Sequence, residues 1–340
     1  MGKYFTEPER YQLEIMLQDK IPVKQIAERL GKCLSTIYNE IKRGTVEQLT
    51  SELVPYKTYK ADYAQRDFLE KQTAKGADFK IGDDFELVNF IEDKIKTEKW
   101  SPEAVIGYIN NNPDLNFKTE ICFKTLYNYI HAGLFLNVRE SDLKRYRKKK
   151  KKEGKPVAMH NLHGASIAER PEEIRSRDSF GHWEMDTVIG QRDKKNCLLV
   201  LSERKTRTEI IRKIKSKSQE AVKAALDQIE KDLGAETFRE RFKTITTDNG
   251  VEFLDAGKIE NSIFEGQRTI SYYCHPYSSW ERGTNENINK MIRRWIPKGA
   301  DITLYTDQQI AYIEHWINAF PRKIFGFRSS RDMLRAELQQ

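Results

Sequence analysis

The first 140 residues carry apolar side chains at the spacing of amphipathic helices. One stripe at positions i, i+3, i+4 and i+7 predicts a short helix that ends at Gly31, and it consists of Val23, Ile26, Ala27 and Leu30. An earlier helix is expected to start near Thr6, with Pro8 tolerated in its first turn. After the turn, Ser35 can cap a third helix that places Ile37 and Ile41 inward. Three short helices in this order predict a helix-turn-helix unit.

The same pattern occurs twice, since STIYNEIKRG at 35–44 is echoed at a constant offset by KTLYNYIHAG at 124–133. In the second copy Ser101 and Pro102 predict a helix start, and Leu126 and Ile130 take the inward positions. Two small three-helix bundles without DNA contacts would show the same periodicity. In a DNA-binding unit the last helix enters the major groove, where short polar and basic side chains reach base edges and phosphates. The outward candidates are Ser35, Thr36, Asn39, Lys42 and Arg43 in the first copy and Lys124, Thr125 and Asn128 in the second.

From residue 180 onward the pattern changes to that of strands. Apolar and β-branched runs at 181–191, 197–203 and 209–214 predict three consecutive strands in a meander. A helix is expected next, over 218–233, with Ala221, Ala224, Ala225 and Ile229 on one side. The segment 242–250 then predicts a strand that is closed by an Asn-Gly turn.

A further helix is predicted within GTNENINKMIRRWIP at 283–297, where Pro297 ends it. Its apolar stripe consists of Ile288, Met291, Ile292 and Trp295, and its polar side carries Glu286, Asn289, Lys290 and Arg293. A carboxylate beside cations on a helix is usually an ordinary ion-paired surface. Lys290 and Arg293 are nevertheless candidates for DNA contacts.

Three carboxylates lie where distant parts of the chain can converge at one edge of a sheet. Asp186 lies within the first strand, Asp248 at the end of a later strand, and Glu286 on the last of these helices. Clustered carboxylates repel one another unless a cation lies among them. Oxygen ligands without nearby His or Cys suit Mg²⁺, with Mn²⁺ as a substitute, and two such ions about 3.5–4 Å apart support in-line displacement at phosphorus. The three residues are therefore candidates for both metal binding and catalysis of nuclease or strand-transfer chemistry.

Composition restricts the class of protein. Charged residues make up 32% of the chain and hydrophobic residues 38%, which is typical of a soluble protein, and 340 residues suit two or three domains. No apolar run is long enough to span a bilayer and the N-terminus does not resemble a signal peptide, so we expect a cytoplasmic protein without membrane contact. The cysteines are far apart and without a CxxC pair, which predicts reduced structural residues: Cys33, Cys122, Cys197 and Cys274.

The net charge of +8 is concentrated at 144–152, where KRYRKKKKK has eight Lys or Arg in nine residues. Such a run must face water or a polyanion. It is either a solvated linker or a linker that also contacts DNA phosphates, and its candidates for that contact are Lys144, Arg145, Arg147 and Lys148. Both interpretations make it a domain boundary.

Four stretches in the second half resemble a known family: GHWEMDTVIG, TTDNGVEF, HPYSSWERGTNENINKMIRRWIPKG and FPRKIFGFRSS. In this order they are similar to the blocks of the insertion sequence thirty family of bacterial transposases, within the DDE transposase and retroviral integrase superfamily. The resemblance implies a ribonuclease H-like catalytic domain, action on the terminal inverted repeats of a mobile element, and a catalytic triad at Asp186, Asp248 and Glu286. The sequence departs from the family pattern in two places. The 37 residues between Asp248 and Glu286 are slightly more than the usual spacing, which suggests a small loop insertion, and FRSSRDML lacks the proline that is common in this segment.

Several neighbours of the triad have alternative interpretations. Glu184 shares a strand face with Asp186, so periodicity cannot choose between them, and the family block favours Asp186. Glu281 is expected in a loop, whereas Glu286 lies on a helix. Tyr277 and Trp280 are equally compatible with stacking on a splayed base and with burial. Asn249 and Gly250 are expected only to form the turn after Asp248. His160 and His163 are assigned no role as metal ligands.

The sequence thus predicts an α+β multidomain protein, with all-α helix-turn-helix units before a ribonuclease H-like mixed sheet. The expected segments are a first helix-turn-helix domain (1–56), a connector (57–82), a second helix-turn-helix domain (83–143), a basic linker (144–165) and a catalytic domain (166–340). The expected function is a nucleoid-associated, metal-dependent DNA transposase acting on double-stranded DNA as a homodimer or larger assembly. The alternatives are a DNA-binding regulator with a silent catalytic domain and a nuclease that cuts without joining.

Overall fold

The computed structural model describes residues 4–73, 79–143, 164–275 and 283–339 and divides into two compact units, Met1–Phe79 and Lys80–Gln340. None of the helices in these described ranges is both long enough and apolar enough to cross a membrane.

The first unit begins with the predicted helix-turn-helix. Its helices are α1 (Glu7–Gln18), α2 (Val23–Leu30) and α3 (Leu34–Gly44), and Gly31 ends α2 in the left-handed conformation that glycine adopts readily. Leu13, Ile26 and Ile37 are fully buried between them. The predicted cap at Ser35 was wrong, because the N-cap position is taken by Cys33, two residues earlier, and α3 begins at Leu34.

A hairpin and a fourth helix complete this unit. The hairpin consists of β1 (Thr45–Leu49) and β2 (Pro55–Tyr59), and α4 (Ala61–Thr73) packs against α1 and α3. The segment 57–82 was expected to be a connector, but Ala61 and Ala64 are buried in the core of the unit. Small side chains at i and i+3 allow this close approach to α3, which residue composition alone did not indicate.

The second unit opens with three helices that share a core with a large sheet. These are α5 (Phe85–Lys96), α6 (Pro102–Asn111) and α7 (Phe123–His131), and Ser101 caps α6 as predicted. The Trp316 indole nitrogen donates to the Glu98 carbonyl at 2.6 Å, and Lys99 and Arg294 exchange hydrogen bonds with each other's carbonyls at 2.9 and 2.7 Å. The helices therefore belong to the same packed body as the sheet.

The remaining elements form an α+β architecture around that sheet. They are β3 (Ala165–Ser166), α8 (Glu172–Arg175), β4 (His182–Ile189), β5 (Cys197–Glu203), β6 (Glu209–Ile214), α9 (Gln219–Leu233), α10 (Ala235–Arg241), β7 (Thr244–Thr247), α11 (Ala256–Glu260), β8 (Ile270–Tyr273), α12 (Gly283–Ile292), α13 (Asp307–Ala319) and α14 (Ser330–Leu338). The sheet order is β3-β8-β7-β4-β5-β6; β4, β5 and β6 form the predicted antiparallel meander, while β3, β8, β7 and β4 pair in parallel. The predicted mixed sheet is confirmed.

Helices cover both faces of the sheet. Strand alternation places Trp183 and Met185 against α9 and α10, and Val188 against α12 and α13. The predicted inner side of α9 was partly wrong, since Ala224 is exposed while Val222 and Leu226 are buried. The larger apolar residues determine which side of this helix packs.

Side chains of α13 satisfy the backbone of the edge strand β6. Glu314 accepts the Ile211 amide at 2.6 Å, and Asn318 bonds both the amide and the carbonyl of Glu209 at 2.8 Å. A side chain amide or carboxylate thus takes the place of a further strand, which protects the edge from pairing with another chain.

Candidate active site

Asp186 lies in the middle of β4 on the face that α12 covers. Its side chain is half-buried, and Oδ2 accepts a hydrogen bond of 3.0 Å from the side-chain amide of Asn289 on α12. Glu184, two residues earlier, points to the same face because side chains alternate along a strand. The site therefore begins with two acids on one strand, of which only one is accessible.

Glu184 is fully buried and held by arginines. Its Oε1 lies 3.2 Å from Arg204 Nε and 4.0 Å from Arg177 Nη2. A carboxylate enclosed by guanidinium groups is compensated without a metal ion. Burial and pairing thus distinguish Glu184 from Asp186, which strand periodicity could not do.

Asp248 follows β7, the strand that pairs with β4 in parallel. Glu184 is in register with Thr246, so Asp248 comes level with Asp186 on the neighbouring strand. Its carboxylate is half-buried, and Oδ1 accepts the Gly250 amide at 3.0 Å. Parallel pairing therefore brings these two acids to the same part of the sheet although 62 positions separate them in sequence.

Glu286 lies in the first turn of α12. The predicted apolar stripe is buried at Ile288, Met291 and Ile292, but the predicted helix end was wrong, because α12 ends at Ile292 and the half-buried Trp295 lies beyond it. Ile288 and Ile292 are fully buried, whereas Glu286 is exposed, one turn before the Asn289 that bonds Asp186. The helix thus presents Glu286 along the side that contacts β4. Glu281, Tyr277 and Trp280 lie outside the described residues, as do His160 and His163.

Across 4–73, 79–143, 164–275 and 283–339, no three acidic, His or Cys side chains are grouped closely enough to hold a metal ion together. The structure brings Asp186 and Asp248 to neighbouring strands and the helix of Glu286 onto β4, but it does not draw the three into one cluster. The donors are carboxylate oxygens, which is the ligand type that suits Mg²⁺ and Mn²⁺. The chemistry of the donor set therefore fits a divalent cation.

The residues that were predicted to contact DNA lie on helices whose outer faces are exposed. On α3, Ser35, Asn39 and Lys42 are exposed and Thr36 is half-buried. Arg43 is different, because it is paired with Glu40 at 2.6 Å and with Asp67 at 3.4 Å. Arg43 thus holds the unit together, and the outer face presents the other four.

Sequence reasoning missed two apolar side chains on this face. Leu34 is 43% exposed and Tyr38 is 57% exposed, beside Ser35 and Asn39. Their i, i+4 spacing outside the buried stripe was the available signal. Apolar groups at a major groove contact thymine methyls, so they extend the candidate DNA surface.

The other candidate DNA contacts divide in the same way. Lys124, Asn128 and Lys290 are exposed, and Thr125 is half-buried. Arg293 donates to the Ile189 carbonyl at 2.6 Å and to the Pro297 carbonyl at 3.3 Å, and burial lowers its pKa. Arg293 therefore joins α12 to the end of β4. The predicted contacts Lys144, Arg145, Arg147 and Lys148 lie outside the described residues.

The cysteines also fall into two classes. All four are free, but Cys33 and Cys122 are exposed at the starts of α3 and α7, whereas Cys197 and Cys274 are buried. Hydrogen bonds from the hydroxyls of Ser35 and Thr36 lower the pKa of Cys33 to about 7. The expectation of structural cysteines therefore suits only the buried pair.

Comparisons with known proteins give a helix-turn-helix match at the N-terminus and transposases that align over nearly the full chain. A family model described as "Helix-turn-helix domain" matches residues 1–44. The "Probable transposase for insertion-like sequence element IS1161" of Streptococcus salivarius is 33% identical, over 97% of this chain and 94% of the relative. The transposase for insertion sequence element IS4351 of Bacteroides fragilis is 31% identical over 100% and 98%, and transposase InsI for IS30C of Escherichia coli K12 is 27% identical over 97% and 83%. Among solved structures, the catalytic core domain of BIV integrase aligns with 47% of this chain and 98% of its own, at 13% identity and a TM-score of 0.34.

Proposed function

Because the chain belongs to the insertion sequence thirty family of transposases, we propose that Asp186, Asp248 and Glu286 form its catalytic site for cutting and joining DNA. The protein is a DNA transposase that binds DNA through a helix-turn-helix. The proposal concerns which residues perform the chemistry. The observation that supports it is the parallel pairing of β4 with β7, which brings Asp186 and Asp248 to neighbouring strands, with Asp186 bonded to Asn289 of α12.

The three carboxylates would hold divalent cations, Mg²⁺ with Mn²⁺ as a substitute and two ions per site. When bound, the ions would activate the attacking oxygen and stabilise the leaving oxygen of an in-line displacement at phosphorus. The Asn289 side-chain amide on α12 donates to the Asp186 carboxylate, and the Gly250 backbone amide donates to that of Asp248. Preformed hydrogen bonds of this kind reduce the reorganisation that ligand binding requires.

DNA recognition is assigned to the outer faces of α3 and α7. Ser35, Asn39 and Lys42 would contact one segment of the terminal repeat, together with Leu34 and Tyr38. Lys124 and Asn128 would contact another. Since α5, α6 and α7 share a core with the sheet, DNA on α7 would be held at a fixed position relative to Asp186.

Both ends of a mobile element must be handled together, so the working assembly is proposed to be a homodimer or larger. The basic run at 144–152 would add phosphate contacts that weaken with salt. Water would first attack the phosphodiester at the end of the element, whose bond to the flanking DNA breaks to leave a 3′-hydroxyl. That hydroxyl would then attack a phosphodiester of the target strand, and a new bond would form as the 3′ oxygen of the target strand leaves.

The test is cleavage and joining of a labelled terminal DNA by the full chain in Mg²⁺ or Mn²⁺. Asp186→Asn, Asp248→Asn and Glu286→Gln should each abolish both products while terminal DNA binding persists. Glu236→Gln, an exposed carboxylate on α10, is the matched control and should behave as the wild type. Binding without any cutting by the wild type would favour a regulator with a silent site, and cutting without joining would favour a simple nuclease.

A further inference from the structure

Glu252 is a buried carboxylate in the short 3-10 helix Val251–Phe253, just beyond Asp248. Only 2% of its surface is exposed. Its Oε1 accepts a hydrogen bond of 2.7 Å from Thr187 Oγ1 and lies 3.2 Å from Lys217 Nζ. Its Oε2 is equally buried and has no hydrogen-bond donor in the described part of the chain.

An unsatisfied buried oxygen is unfavourable for folding. Leaving a buried polar atom without a partner costs about 1–3 kcal/mol, and more when the group is charged. A glutamine would keep the acceptor for Thr187 and bring a donor in place of the second oxygen. The hydrogen bond from Thr187 therefore does not require a carboxylate at this position, and the charged partner, Lys217, is 39% exposed.

The unpartnered oxygen is directed toward the loop that carries Asp248. A Cβ atom on residue 250 would lie 2.6 Å from Glu252 Oε2 and 2.9 Å from Asp248 Oδ1, so the two carboxylates approach each other beside Gly250. A side chain at this position would displace one or both of these oxygens. The other oxygen of Glu252 holds Thr187, the neighbour of Asp186 on β4.

We propose that Glu252 is a positioning residue of the cation site, acting through Asp248 and β4. Its bond to Thr187 fixes the strand of Asp186 against the loop of Asp248, and its second oxygen adds negative charge beside Asp248. Both effects favour a divalent cation held by Asp186 and Asp248, because neighbouring like charges repel until a cation compensates them. The inference rests on the proposed function of those two residues.

The experiment measures Mn²⁺ binding to the full chain without DNA, with the paramagnetic resonance signal of free Mn²⁺ as the readout. Thermal unfolding of the same variants is measured without metal. Glu252→Gln should weaken Mn²⁺ binding about tenfold or more, as loss of an outer-shell partner does. Its unfolding temperature should change little, because Thr187 keeps its acceptor and the lost ion pair is with Lys217, which is 39% exposed. Unchanged Mn²⁺ affinity with a lower unfolding temperature would overturn the proposal and leave Glu252 a structural residue.

A second variant tests the contribution of the Glu252 charge by removing its positive partner, and the expected change in Mn²⁺ affinity is in the opposite direction. Lys217 is 39% exposed, so Lys217→Met is expected to fold, and it removes the cation that compensates Glu252. Mn²⁺ binding should then tighten by a few-fold, and unchanged or weaker binding would contradict the proposal.

The matched control is Glu230→Gln, another fully buried glutamate on the same side of the sheet. Glu230 accepts from Ser262 Oγ at 2.5 Å and pairs with Arg268 at 3.2 Å near the other end of α9. This variant should unfold at lower temperature with Mn²⁺ binding intact. Asp248→Asn separates the two levels of inference: if it weakens Mn²⁺ binding and Glu252→Gln does not, only the role of Glu252 fails, and if neither does, the cation site itself fails.

Discussion

The side-chain amide of Asn289 donates a hydrogen bond of 3.0 Å to Oδ2 of Asp186, across the contact between α12 and β4. This bond ties the orientation of one proposed catalytic acid to the helix that carries another, Glu286. Asn289 was predicted only as a member of the polar side of α12. Its contact gives the helix a second function besides burying Ile288 and Ile292.

Replacing Asn289 should therefore impair catalysis more than folding. Asn289→Leu removes the donor and should lower the single-turnover rate of strand joining about tenfold to a hundredfold, the range for outer-shell partners of metal ligands. Asn287→Ala, an exposed asparagine on the same helix, is the control and should leave the rate unchanged. Equal rates for Asn289→Leu and the wild type would show that Asp186 needs no such support.

Two adjacent basic residues on α3 should give opposite results. Lys42→Ala should reduce the slope of log affinity against log salt by about one and leave stability unchanged, because Lys42 is exposed and proposed to contact a phosphate. Arg43→Ala should lower the free energy of unfolding by about 1 kcal/mol, since it removes partners of Glu40 and Asp67. Binding titrations at several salt concentrations and chemical denaturation measure the two quantities. A salt slope that changes only in Arg43→Ala would reverse these assignments.

Stability should fall in mild acid because of His182. Burial lowers the pKa of this imidazole to about 4 from its ordinary 6.5, and its Nδ1 lies 2.8 Å from Thr244 Oγ1. The unfolded chain then binds a proton between pH 6.5 and 4 that the folded chain does not, so stability is complete above 6.5 and lost as pH falls through this window. His182→Asn should flatten this part of the pH profile by an amount on the order of 2 kcal/mol. Identical pH profiles of unfolding would rule out His182 as the cause.

Leu53 at the tip of the first-unit hairpin has a strained backbone. Its φ is 62°, a conformation that asparagine tolerates better than leucine, and its side chain is 76% exposed. Leu53→Asn should therefore stabilise the protein by about 0.5–1 kcal/mol, measured by thermal unfolding. Leu49→Asn, at an exposed strand position with ordinary backbone, should not stabilise it. A gain in both variants would point to general removal of apolar surface instead.

Alkylation should distinguish the two classes of cysteine. Because the pKa of Cys33 is lowered to about 7 by its hydroxyl neighbours, its thiolate and its reaction rate should increase as pH passes through 7. Burial raises the pKa of Cys197 to about 11, so that thiol should stay unmodified in the folded protein. Terminal DNA should protect Cys33 if α3 lies in the groove, as peptide mass mapping would show. Equal labelling with and without DNA would show that Cys33 is not covered by bound DNA.

Local sequence patterns were enough to predict the first three helices, the strand meander and the order of the blocks, but not the hairpin and α4 of the first unit. The bounds of β5 and β6, the buried stripe of α12 and the cap at Ser101 follow from periodicity and turn chemistry, which are local properties of the chain. The resemblance of separate motifs gave the choice of Asp186, Asp248 and Glu286. These predictions required no knowledge of which residues meet in space.

The partners of the charged residues could be read from the folded chain alone. Arg43 and Arg293 were predicted to contact DNA because helical spacing places them on the polar sides of their helices. In the folded protein Arg43 pairs with Asp67, and Arg293 donates a hydrogen bond to the Ile189 carbonyl. Glu252 had no sequence feature beyond its place after Asp248, and its role depends on Thr187 of a distant strand. Periodicity records which side of an element is apolar, whereas the partner of a polar group depends on strand order and helix packing, which the whole chain sets together.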